Sequence, residues 1–165
     1  MSSKIEPSQF GDWQNVYVVG MPDTRNSATS EAGVGPPSQK SMIYVVDDDH
    51  DVRKSLRFLL EAEGFDVRTF RSGTGLLGSS TRHRADCLVV DYKMAEIDGL
   101  ELAHRLRRLG VSTPVVLITG YPDENISAKA TSVGVRQVVL KPNLEDNLVE
   151  CVRNAINVRR AAGQP

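Results

Sequence analysis

Four short apolar runs constrain this chain more than any other feature: "MIYVV" at 42–46, "CLVV" at 87–90, "PVVLIT" at 114–119 and "QVVL" at 137–140. Their apolar residues are consecutive rather than alternating, so each reads as a strand buried on both faces. Strands of that kind belong to parallel sheets whose two faces are covered by helices. The intervening segments supply the helices. "DVRKSLRFLLEAEG" puts Val52, Leu56, Leu59 and Leu60 on one face and stops at Gly64. "DGLELAHRLRRLG" does the same with Leu100, Leu102, Leu106 and Leu109, and "NLEDNLVECVRNAINVRR" with Leu144, Leu148, Val152 and Ile156. "FDVRTF" alternates like a strand. "SGTGLLGSSTRH" and "DENISAKATSVG" are weaker helices, the first because Gly73, Gly75 and Gly78 each cost up to about 1 kcal/mol relative to Ala. Five strands alternating with five helices predict a doubly wound α/β domain with a five-stranded parallel sheet. In any such fold ligands collect at the carboxyl ends of the strands.

Ahead of this pattern, 11 of the 20 residues from Pro22 to Ser41 are Pro, Gly, Ser or Thr, a composition that cannot offset its ordering entropy and reads as a flexible linker. The expected organisation is an N-terminal tail and linker at 1–41, one domain at 42–160 and a short tail at 161–165. "DWQNVYVVGM" holds a β-prone run that either adds to a sheet edge or stays unstructured; its residues do not decide. The net charge of -1 gives no reason to expect a nucleic-acid or membrane partner, and residues 41–165 carry 17 Lys+Arg against 17 Asp+Glu. No apolar run approaches the roughly 20 residues of a membrane helix, and the N-terminus has no signal-like apolar stretch, so a cytoplasmic location is expected. Cys87 and Cys151 lack metal-ligand spacing and read as small core residues.

The strand ends carry the chemistry. The first run ends in Asp47 and Asp48, the second in Asp91, the third in Thr119 and the last in Lys141-Pro142. Parallel strands present all these positions on one rim. Asp49 is a good helix N-cap and Asp51 suits a first helical turn, but neither explanation reaches Asp47 or Asp48. Singly, an Asp at a strand end is a turn former and a Lys is a solvated charge; together on one rim they demand more. Two carboxylates about 4 Å apart repel by about 4 kcal/mol at an effective dielectric near 20. Three of them protonate, splay apart or bind a cation. All-oxygen ligands with open positions suit Mg²⁺, and a Lys with a Thr hydroxyl can hold the oxygens of a phosphoryl group. The residues point to metal-assisted phosphoryl chemistry with an Asp nucleophile.

In their order, "YVVDDD", "CLVVDYKM...DG", "VVLITG" and "VVLKP" resemble the signatures of the response-regulator receiver domain of two-component signalling, over residues 42 to about 160. "VVDDDHDVRKSL" and "ITGYPDE" are similar to receivers of nitrogen-fixation-type transcription activators. The resemblance implies a flavodoxin-like (βα)5 fold that brings Asp47, Asp48 and Asp91 together. It implies that Asp91 accepts a phosphoryl group from a sensor histidine kinase or a phosphotransfer protein. Asp48, Asp91 and the backbone carbonyl of Lys93 would ligate Mg²⁺, with Asp47 acting through a metal-bound water. Lys141 would pair with Asp91 and then with the phosphoryl group, onto which Thr119 would move its hydroxyl. The Lys141-Pro142 bond would be a candidate cis peptide. The chain would be a phosphoacceptor with self-catalysed transfer and dephosphorylation, not a turnover enzyme.

Two positions depart from the family pattern. Val138 stands where a switch aromatic is expected, and Ala95 where a Pro is expected, which would loosen the loop beside Asp91. After the last helix only "AAGQP" follows, so a stand-alone receiver is expected to signal by contact with a downstream protein, without binding nucleic acid directly. The expected contact surface, also the expected face of a homodimer, is that of the fourth helix, the fifth of these strands and the fifth helix. Basic residues such as Arg107 and Arg159 read as solvated helix faces. A phosphate-independent docking or dimerisation module is the alternative. An aspartate-nucleophile phosphatase fits worse, because "DDDHD" lacks the D-x-D-[TV] order and no late acidic pair follows.

Overall fold

A computed structural model describes residues 16–18, 39–120, 123, 125–141 and 144–163. Its elements in chain order are β1 (Val16–Val18), β2 (Met42–Val46), α1 (His50–Ala62), β3 (Asp66–Phe70), α2 (Gly73–Leu77), β4 (Cys87–Asp91), α3 (Gly99–Arg108), β5 (Val115–Thr119), α4 (Ile126–Ser132), β6 (Gln137–Leu140) and α5 (Leu144–Ala162). They form one sheet in the order β1-β6-β5-β4-β2-β3. The five strands β2 to β6 are parallel. The apolar runs are buried on both faces because helices cover both. Tyr44 and Val46 pack with Leu76, Leu102, Leu106 and Ile126, from the α2, α3 and α4 side. Ile43 and Val45 pack with Leu56, Leu60, Leu148 and Val152, from α1 and α5.

One strand lies outside the expected five. Val16–Val18 pairs antiparallel with β6, placing Tyr17 opposite Val138. An edge strand leaves one row of backbone donors and acceptors open to pairing, and β1 fills that row at β6. Residues 22–38 of the expected linker and Pro142 lie outside the described residues. The glycine-rich second helix shrinks to five residues, as its composition predicts. The last helix continues to Ala162, past the expected boundary at 160.

The amino ends of the strands are closed by cations. Arg107 Nη1 donates to the carbonyls of Val111 (2.7 Å) and Thr113 (2.9 Å), and Arg159 Nη1 donates to that of Ala85 (2.8 Å). These two arginines are therefore loop anchors rather than solvated charges. Cys87 and Cys151 are free and buried, as expected. No helix of the described residues is long and apolar enough to cross a membrane.

The chain leaves β2 first toward β3 on one side and later toward β4 on the other. This reversal opens a crevice between β2 and β4 at their carboxyl ends, where Asp47 and Asp91 lie.

Candidate functional site

The three consecutive carboxylates after β2 divide by role. The Asp47 N–H still donates to the Phe70 carbonyl (3.2 Å), which extends the ladder and holds the side chain at the rim. Asp47 is 2 % exposed. Its Oδ1 accepts from the Asp49 N–H (2.8 Å), while Oδ2 is buried with no hydrogen-bond partner among the described residues. Asp49 caps α1, its Oδ1 accepting from the N–H groups of Asp51 (2.9 Å) and Val52 (3.1 Å). Asp48 is exposed and turns toward the loop that follows β4.

Asp91 closes β4 in register with Ile118 and is 8 % exposed. One oxygen each from Asp47, Asp48 and Asp91 lies within 4.8 Å of the others. Thr119 ends β5, 1 % exposed, opposite Leu140 of β6. The next N–H, that of Lys141, donates to the Thr119 carbonyl (2.9 Å) and brings the lysine onto the same rim. Lys93 is exposed on the β4–α3 loop. Val138 stands apart from this group: it pairs with Leu117 below the rim and is fully buried in the core on the α4 side.

Burial pushes the Asp91 carboxyl up to about 7, and the neighbouring charges of Asp47 and Asp48 add to the rise while Lys141 opposes it. Burial also raises Asp47, against the Asp49 N–H and Lys141, which pull it down. These shifts describe a rim that resists holding three negative charges without a cation.

The donor set fits Mg²⁺. It consists of hard carboxylate oxygens without His or Cys, and the unpartnered buried Oδ2 of Asp47 faces the desolvation penalty that a cation or its bound water would relieve.

Several contributors carry no sequence signal or a faint one. The "DG" pair was legible, but not its reason: a Cβ on Gly99 would come within 2.6 Å of the Asp91 carbonyl oxygen and 2.7 Å of Leu117 Cδ1. Only glycine lets α3 start that close to the Asp91 backbone. Arg53 Nη1 donates to the Asp47 carbonyl (2.7 Å), bracing the turn from α1. Ala95 keeps an N–H that a proline would lack, and this N–H donates to Asp48 Oδ2 (3.3 Å). Next to it, Glu96 adopts φ 70 and accepts from the Thr74 hydroxyl, tying the loop to α2.

Comparison with known proteins agrees with this geometry. The profile of the family described as "Response regulator receiver domain" matches residues 43–153. The chain belongs to the response regulator receiver family. It is 33 % identical over 120 residues to the response regulator protein TmoT of Ectopseudomonas mendocina, covering 73 % of this chain and 54 % of TmoT. The receiver thus spans about half the length of the curated relatives it matches. Among solved structures, FixJ-N is 31 % identical with a TM-score of 0.67, covering 72 % of this chain and 95 % of that one. The response regulator TrrA of Thermotoga maritima, solved in complex with Mg²⁺-BeF, is 28 % identical with a TM-score of 0.61 and covers 70 % and 98 %. The flavodoxin-like, doubly wound arrangement of this receiver is the fold those neighbours share.

Proposed function

We propose that this receiver accepts a phosphoryl group on Asp91 from the phosphohistidine of a sensor kinase or phosphotransfer protein, in a Mg²⁺-dependent reaction. The observation that carries the proposal is the gathering of Asp47, Asp48 and Asp91 within 4.8 Å, on the rim that also bears Thr119 and Lys141. An Asp91 oxygen attacks phosphorus; the bond to the histidine nitrogen breaks, and its electron pair leaves with the imidazole. The cation, when bound, neutralises charge between nucleophile and phosphoryl oxygens. Asp48, Asp91 and the Lys93 carbonyl would hold it, with Asp47 reaching it through water. Lys141 opposes the burial that raises the Asp91 carboxyl and so favours its ionised form, and would then meet a phosphoryl oxygen. Thr119 supplies a hydroxyl to another oxygen. Hydrolysis of the acyl phosphate would use the same groups, so the receiver resets itself without being a turnover enzyme.

The proposed readout of the receiver is protein contact through α4, β6 and α5, in the cytoplasm. A homodimer through that face belongs to the same proposal. Full burial of Val138 in place of an aromatic favours a second reading, a docking module indifferent to phosphate.

The test is intact mass after incubation with acetyl phosphate, with and without Mg²⁺, for wild type and Asp91→Asn. A single Mg²⁺-dependent phosphoryl adduct, absent in the mutant, is expected. A folded wild-type protein without adduct overturns the proposal and leaves the docking module.

A further inference from the structure

We infer that the backbone N–H of Ala95 is a positioning group that holds the Asp48 carboxylate in place for the divalent cation. This deepens the metal-binding reading above and rests on it. Asp48 is exposed and repelled by two neighbouring carboxylates, so on its own it would rotate away into solvent. The Ala95 N–H donates to its Oδ2 (3.3 Å) and opposes that rotation. An ionised carboxylate has about four lone-pair sites, so this bond leaves capacity for a cation. A donor to a metal-binding carboxylate fixes its orientation much as outer partners do in established metal centres.

The N–H is presented by a loop held from several sides. The Tyr92 N–H donates to the Ile118 carbonyl (2.7 Å), the Gly99 N–H to the Tyr92 carbonyl (2.9 Å), and the Ile97 N–H to the Ala95 carbonyl (2.9 Å). Glu96 takes the left-handed conformation at φ 70, unusual for a residue with a Cβ, and its carboxylate is bonded by the Thr74 hydroxyl. The loop is therefore clamped against α2 on one side and leans on Asp48 with the other. Proline at 95 would delete the donor, so the departure from the family pattern at this position creates the contact.

The experiment titrates Mg²⁺ into the full chain and follows the thermal midpoint, from which affinity follows by linkage. The variants are Ala95→Pro, which removes the N–H, and Ala95→Gly, which keeps it. Ala95→Pro is expected to weaken Mg²⁺ affinity about tenfold, with Ala95→Gly close to wild type. Equal affinity in wild type and Ala95→Pro overturns the role of Ala95 alone. A wild-type midpoint unmoved by Mg²⁺ overturns the metal reading itself. A second readout needs no variant and decides the matter if Ala95→Pro does not fold. Amide exchange at Ala95 in the wild-type protein should slow when Mg²⁺ is added, whereas exchange at the unprotected rate with and without Mg²⁺ overturns the inference.

Discussion

The two rims of the sheet use charge in opposite ways. At the amino rim two arginines meet neutral acceptors: Arg107 closes on the carbonyls of Val111 and Thr113, and Arg159 on that of Ala85. At the carboxyl rim three carboxylates face one another, one of them holds a buried oxygen with no partner among the described residues, and Asp91 is pushed up to about 7. The first arrangement satisfies loop carbonyls, that of Ala85 together with the Thr113 hydroxyl (3.3 Å). The second leaves mutual repulsion among carboxylates, which a bound cation would relieve. Stability and the proposed chemistry thus occupy opposite ends of the same strands.

Substitutions at the two rims should therefore behave differently. The largest effect is expected at Gly99. Gly99→Ala drives a Cβ into the Asp91 backbone and should destabilise the chain by about 3 kcal/mol in urea unfolding; a change below about 1 kcal/mol would mean that α3 can back away from β4.

Asp91→Asn should do the reverse. Because folding raises the carboxyl from 3.8 to about 7, the folded chain binds its proton more tightly than the unfolded chain between those values. That contribution is complete below about pH 4 and is lost as pH rises through 7. In EDTA the mutant should gain about 2 kcal/mol over wild type at pH 8 and little at pH 4, with solvent at the open rim limiting the full-strength figure of about 4. A difference that does not change with pH would show that Asp91 carries no strain.

At the other rim, Arg107→Met should lose about 1.5 kcal/mol, and the loss should stay flat between pH 5 and pH 8 because the acceptors of Arg107 are backbone carbonyls, which do not titrate. A loss that varied with pH would erase the contrast between the rims. The smallest effect belongs to neither. Arg57→Ala removes an exposed pair with Glu61 on α1 and should change stability by at most about 0.5 kcal/mol. A larger loss would show that charge matters to stability even away from both rims.

Much of the site was readable because its residues sit at the ends of apolar runs. Asp47, Asp48, Asp91, Thr119 and Lys141 each follow such a run, and parallel strands bring their ends together whatever their order. Asp49 was readable as a cap for a local reason: its acceptors lie two and three residues on. Arg107 and Arg159 were misread as solvated because helical periodicity says which face a residue occupies, not how far its head reaches along the helix end. The contact of Ala95 was not legible because the acceptor of its N–H lies 47 positions earlier in the chain.

By itself the sequence determined the alternation of strands and helices, the buried character of the central strands and the list of groups at their carboxyl ends. These depend on hydrophobic spacing and turn chemistry, which act over a few residues. Tertiary structure alone decided that Val16–Val18 joins β6, that Ala95 meets Asp48, that Gly99 must lack a side chain, and that Asp91 is raised to about 7. Each of those depends on distance and burial between segments remote in the chain, and no local pattern encodes them.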